Sequence, residues 1–310
     1  MNGLLKALDD YLALRRNMGF KLAEHEPALR KFIAFLNTRN AESITTNLAL
    51  AWAQQPRHTT PATRAKRLGM VRDFARYLCT TDPRTQVPPQ GLLPAQPQRT
   101  QPYIYTQDQI CRLVQQAARL DPADGLRPHT FSTLFGLLAV TGMRIGEAMA
   151  LDRRDVDLKE GVITVRLGKF NKTRLLPVHR STRRRLHGYA QSRDSLVRVR
   201  ASESFFLTDT GRRLYYERVW RAFARVSWQT GLRPTPRGHG PRIHDLRHTF
   251  AVRTLINWYR SGINPEQRLP SLSAYLGHAK VSDTYWYLSA VPELMGAVSS
   301  RLDNLFGATS

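Results

Sequence analysis

The hydrophobic pattern of the first 82 residues has a helical period throughout. Three segments before residue 55 place apolar side chains three and four positions apart, which predicts three helices. A fourth helix is predicted to begin near Thr60, because a threonine followed by Pro61 is typical of a helix start. We therefore expect residues 1–82 to form a small all-helical domain.

A proline-rich segment follows this helical pattern. It contains six prolines, namely Pro83, Pro88, Pro89, Pro94, Pro97 and Pro102. Proline lacks an amide donor and cannot continue a helix or a central strand, so such a segment stays extended. We interpret residues 83–105 as an interdomain linker, an extended tether that lets two domains close around a partner like a clamp.

The pattern becomes mixed after this linker. Thr106 and Gln109 form a capping-box pattern that opens another helix. Residues 162–167 alternate with a strand period and lead through a turn at 168–173 to a second strand at 174–178, which predicts a hairpin. Helical periodicity predicts further helices near residues 131–140, 145–151, 181–196, 216–230 and 243–258. The pattern therefore predicts a mainly α chain with a small β-sheet or hairpin, and a second domain over residues 106–291.

The last residues form a separate feature, a C-terminal helix and tail over residues 292–310. The predicted helix, from Pro292 to Phe306, carries an apolar stripe of Leu294, Met295, Val298, Leu302, Leu305 and Phe306. Such a stripe can pack on its own domain or on that of a neighbour. We expect this segment to dock on a neighbouring protomer.

Composition adds a partner to this outline. The chain has 310 residues, 42% of them hydrophobic, and a formal net charge of +23. Residues 1–100 carry 15 basic against 7 acidic residues, so both predicted domains are basic. This favours a polyanion held between two domains, and double-stranded DNA is the first expectation. An anionic membrane surface is the alternative, but no apolar run approaches the roughly 20 residues that span a bilayer.

The cysteine count and the N-terminus bear on the compartment. Cys79 and Cys111 are the only cysteines, which is too few for a disulfide framework or a cysteine zinc site. Both lie in apolar helical contexts, where we expect small buried side chains. Together with the lack of a secretory pattern, this leads us to expect a cytoplasmic protein.

Basic residues off the apolar stripe of the fourth helix are candidates for contact with DNA phosphates. They are Arg64, Lys66, Arg67, Arg72 and Arg76, and the single acidic residue among them is Asp73. The alternative is an ordinary solvated face. Lys169 and Lys172 lie at the predicted hairpin tip, where lysines commonly serve only solubility; we add Lys172 to the candidate DNA contacts.

Candidate chemistry begins with His244 and Arg247. Residues three apart share one face of a helix, so both side chains can point into one site. Two cationic groups side by side favour an anion between them, and the planar guanidinium suits a phosphate. A polar wet side of the helix is the alternative.

Two further places offer similar groups. Arg144 lies among apolar residues after Gly142, which indicates either a buried partner, with Glu147 the obvious one, or a ligand phosphate. His278 follows Gly277, which we expect to cap a short helix. Tyr285 and Tyr287 come soon after and lie roughly 200° apart on a helix, so at most one of them can face the site.

This set of motifs resembles the tyrosine recombinase, or phage integrase, family. The family pattern of Thr-Gly-x-Arg-x-x-Glu, Gly-Lys-x-x-Lys, His-x-Leu-Arg-His and Leu-Gly-His with a tyrosine nine residues later occurs here in that order. The matching residues are Arg144, Lys169, His244, Arg247, His278 and Tyr287. The resemblance is strong over residues 106–290. The N-terminal helices resemble the family only in being a small basic helical bundle, because that part of the family has a weak sequence signal. The whole pattern is most similar to recombinases of bacterial mobile elements, which implies a bacterial protein associated with the nucleoid. One departure is the long interval from Arg247 to His278, where we expect an extra loop.

The resemblance implies both a fold and a mechanism. The fold is a helical, SAM-like core-binding domain followed by an α+β tyrosine recombinase catalytic domain. Tyr287 would attack a scissile phosphate and form a covalent 3′-phosphotyrosyl link, with neither a cofactor nor a metal. Arg144 and Arg247 would clamp the phosphate. His244 would be the general base, Lys169 the acid for the leaving 5′-hydroxyl, and His278 a hydrogen-bond donor; His248 is expected to be structural.

The implied reaction also names partners. The 5′-hydroxyl of a second strand would attack the phosphotyrosyl link, and strand exchange would proceed through a Holliday junction. The expected partners are double-stranded DNA with specific recombination sites and further protomers in a synaptic tetramer. Accessory or sister recombinases are further expected partners. A type IB topoisomerase and a catalytically silent DNA-binding regulator remain as alternative functions. A metal-dependent nuclease lacks support because the sequence shows no acidic cluster, and a purely structural basic protein would not need Arg144 in an apolar setting.

Overall fold

The computed structural model of the chain describes residues 2–55, 58–94, 101–166, 173–199, 201–278 and 280–290. Helices dominate these ranges, and three short strands form one sheet. The chain divides into two compact units, Met1–Thr100 and Gln101–Ser310. The predicted fold class, mainly α with a small sheet, is confirmed. None of the described helices is both long and apolar enough to cross a membrane.

The first unit is a bundle of four helices around one apolar core. The helices are α1 (Asn2–Asn17), α2 (His25–Asn37), α3 (Thr46–Gln54) and α4 (Pro61–Leu78). Thr60 caps α4 as predicted, because its Oγ1 accepts a hydrogen bond from the N–H of Thr63 at 3.2 Å. The apolar stripe of α4 is buried against the other helices, as the spacing predicted.

The described ends of the proline-rich segment, which we predicted to be an interdomain linker, pack on the units they adjoin. The N–H of Gln86 donates to the carbonyl oxygen of Ile44 at 2.7 Å, and Val87 and Leu93 pack against the helical core. At its other end, Tyr105 is 1% exposed and its N–H donates to Oγ1 of Thr249 at 3.0 Å. Proline stops a helix, but the residues between the prolines keep their N–H groups and can still donate hydrogen bonds. Both described ends of the segment are anchored in this way to the unit they adjoin. Residues 95–100 lie outside the described ranges.

The second unit surrounds a larger apolar core. Its helices are α5 (Gln107–Ala117), α6 (Leu126–Thr141), α7 (Ile145–Ala150), α8 (Arg180–Leu196), α9 (Tyr216–Gln229), α10 (Ile243–Arg260), α11 (Pro265–Leu276) and α12 (Ser282–Ala290). Antiparallel strands β1 (Val156–Asp157), β2 (Val162–Val165) and β3 (Arg174–Pro177) pair in that order, with Ile163 opposite Leu176. The hairpin was predicted; β1, two residues long, was not.

Two local expectations were wrong. The interval between Arg247 and His278 holds no long loop, because α10 runs to Arg260 and Asn264 already caps α11 by accepting from the N–H of Glu266 at 3.1 Å. This interval therefore consists mostly of α10 and α11. Cys111 is exposed and Cys79 half-buried, so neither is the buried side chain we expected. The predicted C-terminal helix, residues 292–306, and the hairpin tip, residues 167–172, lie outside the described ranges.

Candidate active site

The turn between α6 and α7 sets the position of Arg144. Gly142 ends α6 with a positive φ of 61°, and a Cβ there would lie 2.6 Å from Cδ1 of Phe250. Glycine is therefore required both by the backbone conformation and by the close approach of α10. The turn makes Arg144 the residue that precedes the first turn of α7 and leaves the Gly142 carbonyl pointing toward the same site.

Helix α10 supplies three further groups. Its start is fixed by Asp245, whose Oδ2 accepts from the N–H of Arg242 at 2.7 Å. Arg247 is 2% exposed, because it lies on the side of α10 that packs into the unit. His244 is exposed and His248 is half-buried, so the three side chains differ in how far they are accessible to solvent.

The C-terminal end of α11 gathers three arginines. The carbonyl oxygen of Leu276 accepts from Nη2 of Arg247 at 2.7 Å and from Nη1 of Arg144 at 3.3 Å. The Gly277 carbonyl accepts from Nη2 of Arg144 at 2.8 Å, and the Tyr275 carbonyl accepts from Nε of Arg174 at 2.9 Å. The last carbonyls of a helix have no intrahelical partners and carry partial negative charge, so they are suited to guanidinium groups.

Glu147 joins two of these arginines. Its Oε1 accepts from Nη1 of Arg144 at 2.9 Å, and its Oε2 accepts from Nη2 of Arg174 at 2.7 Å. Burial would raise the pKa of this carboxyl, but the hydrogen bonds from Arg174 and Arg144 together outweigh it and hold the pKa below its usual value. The buried partner that we considered for Arg144 is therefore present, and 25% of the Arg144 side chain still remains exposed.

Tyr287 lies inside this cluster, and Tyr285 does not. The Tyr287 side chain is 2% exposed within the small core formed by α10, α11 and α12, whereas Tyr285 is 48% exposed. The Tyr287 hydroxyl is 2.8 Å from Nδ1 of His248. As expected from their angular separation, only one of the two tyrosines faces the site.

His278 is oriented by α12. Its Nδ1 lies 2.8 Å from Oγ1 of Thr284, which is fully buried, and its ring stacks on Tyr287 at a centroid distance of 6.4 Å. The contact fixes the ring at the end of α11, next to the carbonyl oxygens that hold the arginines. Thr284 therefore belongs to the support of the site.

The cluster favours an anion. Burial, and then the nearby charge of Arg144, lowers the pKa of Arg247 to about 10. Burial, and then the nearby charge of Arg247, lowers the pKa of His278 to about 4. Burial, and then the neighbouring His244, lowers the pKa of His248 to about 4 as well. The same two causes as at His278 lower the pKa of His244 from its ordinary value, and solvent around this exposed residue weakens both of them. A phosphate between these groups would relieve their repulsion.

The sequence of the chain is similar to those of known proteins over most of its length. The family model described as "Phage integrase family" matches residues 104–293. "Putative integrase/recombinase y4rB" of Sinorhizobium fredii is 46% identical over 307 residues, which covers 98% of each chain. The chain belongs to the phage integrase family. "Tyrosine recombinase XerC" of Herpetosiphon aurantiacus is 30% identical over 287 residues, covering 89% of this integrase family member and 87% of that protein.

A solved structure agrees with this family at the level of the fold. The crystal structure of a lambda integrase tetramer bound to a Holliday junction superposes with a TM-score of 0.62 at 19% identity, covering 92% of this chain and 76% of that one. The fold of this phage integrase family member is therefore that of a lambda-integrase-type tyrosine recombinase.

Within this integrase fold, most of the residues predicted from the motifs come together. Arg144, Arg247, His278 and Tyr287 form one cluster, with His244 at its exposed side. Lys169 and Lys172 lie outside the described residues. Strand β3, which follows them in the sequence, is fixed to the cluster through Arg174.

The basic residues of α4 are largely engaged within their own unit. Lys66 pairs with Glu24, and Arg76 pairs with Asp73 at 2.9 Å. The guanidinium of Arg67 lies 3.8 Å from the ring centroid of Trp52. Arg72 donates to the Pro88 and Pro89 carbonyl oxygens, both at 2.7 Å, and Nε of Arg64 is buried. These contacts support structural roles for Arg67 and Arg72, and their contact with DNA stays a prediction.

Two supporting residues of this tyrosine recombinase were missed. Arg174 was interpreted only as the first residue of a strand, and Thr284 only as part of the segment before the tyrosines. No periodic pattern in the sequence indicates that Arg174 is buried and paired, because its partners, Glu147 and the end of α11, are far away in sequence. His248 was noticed but assigned a structural part, since its position next to Tyr287 depends on how α10 and α12 pack.

Proposed function

We propose that Tyr287 is the nucleophile of this site-specific DNA recombinase, attacking a scissile phosphate to give a covalent 3′-phosphotyrosyl link and a free 5′-hydroxyl. The observation that carries the proposal is the position of the Tyr287 hydroxyl inside the cluster that also holds Arg144, Arg247 and His278. A phenol and several phosphate-binding donors in one partly buried site are the groups that a phosphodiester transfer requires.

The other groups are assigned by what they can offer a phosphate. Arg144 and Arg247 are held by carbonyl oxygens and a carboxylate before any substrate arrives, so they need little reorganisation as charge builds on the non-bridging oxygens. His278 and the exposed His244 add hydrogen bonds at the edge of the site. Lys169, which precedes β3 in the sequence, donates the proton to the leaving 5′-oxygen.

The reaction is completed by other protomers. The lambda integrase in the solved structure is a tetramer on a Holliday junction, and we propose the same arrangement here, on double-stranded DNA with specific recombination sites. The charge of +23 supports binding to DNA phosphates. We further propose that residues 292–310 dock on a neighbouring protomer, that sister recombinases or accessory proteins take part, and that the enzyme serves a mobile element in the bacterial nucleoid.

The test begins with the DNA. Duplexes that the full chain retains from a random-sequence pool are sequenced to give its site, and this site is rebuilt as a suicide duplex with a nick beside each candidate position in turn. A suicide duplex loses the short fragment that would reverse the cleavage, so a covalent protein–DNA adduct accumulates and is seen on a denaturing gel.

We expect an adduct with the wild-type chain and with Tyr285→Phe, and none with Tyr287→Phe, while all three bind the duplex equally in a gel shift. An adduct that persists in Tyr287→Phe and disappears in Tyr285→Phe would overturn the assignment of the nucleophile. Absence of any adduct with the wild-type chain would favour a silent DNA-binding regulator, and relaxation of a supercoiled plasmid without the site would favour a type IB topoisomerase.

A further inference from the structure

His248, the last residue of the His-x-Leu-Arg-His motif, contacts the Tyr287 hydroxyl, although the resemblance assigns it no catalytic role. Nδ1 of His248 lies 2.8 Å from that oxygen, which is the separation of nitrogen and oxygen expected between a general base and the hydroxyl it deprotonates. His248 and Tyr287 come from different helices, α10 and α12, and both are withdrawn from solvent. The contact is therefore a product of the fold.

We infer that His248 is a catalytic residue, the proton acceptor that activates Tyr287. The inference rests on the proposed function, since it concerns the same nucleophile. In the step, the O–H bond of Tyr287 breaks and its proton passes to Nδ1 of His248. The phenol oxygen forms the new P–O bond, and the bond from phosphorus to the bridging 5′-oxygen breaks. That oxygen leaves with a proton from Lys169, so no further reactant is needed.

The surroundings of His248 suit both ends of this transfer. Before it, the ring is neutral, because burial and the neighbouring His244 lower its pKa to about 4. A neutral ring protonated on Nε2 presents a free Nδ1 to the hydroxyl, which then donates the hydrogen bond. An incoming phosphate offsets the positive charge of Arg247 and so raises the affinity of the ring for a proton.

After the transfer, the imidazolium has a stabilising neighbour in the carboxylate of Asp245, whose charge favours the protonated ring. The ring of Trp286 contacts the His248 ring in a T-shaped arrangement, with centroids 5.8 Å apart. By contrast, His244 is exposed, with its ring 4.7 Å from that of His248, so it lies on the solvent side of the acceptor.

The first experiment uses the wild-type chain without DNA. Long-range proton–nitrogen NMR spectra of the histidine-labelled chain report which ring nitrogen carries the proton, and the His248 signals are identified by their loss in His248→Gln. We expect a neutral His248 protonated on Nε2, with ring signals that shift in Tyr287→Phe. A His248 protonated on Nδ1 would overturn the inference whatever the variants do.

The second experiment measures the rate of adduct formation on the suicide duplex. His248→Asn keeps an acceptor oxygen near the tyrosine but cannot take up its proton, and His248→Gln provides a second variant if the first unfolds. We expect the rate at neutral pH to fall by about 10²- to 10⁴-fold, with unchanged affinity in the gel shift. His244→Asn, one turn away on the same helix, is the matched comparison.

The pH profile separates a proton acceptor from a residue that only holds the tyrosine. Without the imidazole, the phenol must lose its proton to hydroxide in solution, which is more abundant at higher pH. The rate of His248→Asn should therefore rise with pH toward that of the wild type. The rate of His244→Asn should show no such rise. The groups facing His248 are Arg242, His244, Asp245 and Arg247 on α10 and Tyr287 on α12.

The rates and their dependence on pH decide whether His248 is the proton acceptor. A wild-type rate in His248→Asn, or a reduced rate that does not recover with pH, overturns the role of proton acceptor. Both results are distinct from failure of the proposed function, because the wild-type chain would still form the adduct and Tyr287→Phe would not. If the wild-type chain forms no adduct, the proposed function fails first.

Discussion

Arg144 and Arg247 donate hydrogen bonds to the same acceptor, the carbonyl oxygen of Leu276 at the end of α11. Two guanidinium groups repel each other, and this shared contact with the negative end of a helix offsets part of the repulsion. The distance between the two phosphate-binding groups is therefore set by a backbone atom of a third element. Changes at the end of α11 should act on both arginines at once.

The first prediction concerns Gly277, the residue that ends α11. A Cβ at this position would lie 2.8 Å from Nη1 of Arg174 and 3.3 Å from Nη1 of Arg144, and φ is +67°. We expect Gly277→Ala to lower the free energy of unfolding by about 2–4 kcal/mol, the sum of backbone strain and overpacking. It should also slow adduct formation, because the arginines must move. Chemical denaturation and the suicide-duplex assay measure the two effects.

Gly262 provides the matched control. It has φ of +70°, and nothing lies within 4 Å of the position its Cβ would take. Gly262→Ala should therefore show the backbone strain alone, about 1–2 kcal/mol, with unchanged adduct formation. Equal effects of the two substitutions on both measurements would contradict the role given to the end of α11.

The second prediction concerns the stability at mildly acidic pH. Burial lowers the pKa of His248 and of His278 from the ordinary 6.5 to about 4 in the folded chain. Between these values the unfolded chain binds more protons than the folded one, so the free energy of unfolding should fall as the pH drops from about 6.5 toward 4. Thermal melting followed from about pH 7 to about pH 5 measures this.

The histidine variants identify the source of that slope. A chain with both His248→Gln and His278→Gln should melt with a weaker dependence on pH in the same interval, because glutamine does not titrate. A slope identical to that of the wild-type chain would show that the two rings are not the groups responsible. The window stays above the range in which carboxylates take up protons.

The third prediction separates two arginines of α4. Arg72 donates to the Pro88 and Pro89 carbonyl oxygens, both at 2.7 Å, whereas Arg76 makes an exposed ion pair with Asp73. Arg72→Ala should lower the free energy of unfolding of the first unit by about 2–3 kcal/mol, because two charge-assisted hydrogen bonds are lost. Arg76→Ala should change it by less than about 1 kcal/mol.

DNA affinity is measured on the same two variants. If α4 contacts phosphates as predicted, Arg76→Ala should weaken binding and reduce its dependence on salt while leaving the unfolding curve in place. An Arg72→Ala chain as stable as the wild type would contradict the structural role of that residue. An Arg76→Ala chain with unchanged affinity would remove Arg76 from the DNA contacts.

Sequence reasoning was most successful where a local pattern determines the structure. The cap at Thr60, the glycine at Gly142 and the alternating residues of β2 each depend on neighbours a few positions away, and each was predicted correctly. The separation of Tyr285 from Tyr287 followed from helix geometry alone. The motif residues could be selected from their spacing along the chain, although their individual roles remain proposals.

The remainder depends on contacts between distant parts of the chain. Arg174 meets Glu147 and the Tyr275 carbonyl only after β3 packs beside α11, and no periodicity marks that event. The anchoring of the proline-rich segment was missed for a similar reason, since the acceptors it offers to Arg72 are backbone atoms that any sequence would carry. The closeness of His248 to Tyr287 likewise requires α12 to fold back on α10.

The end of α11 has one more consequence, for how the gene can vary. Because three successive carbonyls, from Tyr275 to Gly277, receive the arginines, a residue inserted or deleted within α11 would rotate this end by about 100° and present the wrong atoms. The turn between Arg260 and Pro265 lies before the helix and carries no such restriction. Length variation among relatives should therefore accumulate in that turn, while α11 keeps an unchanged number of residues.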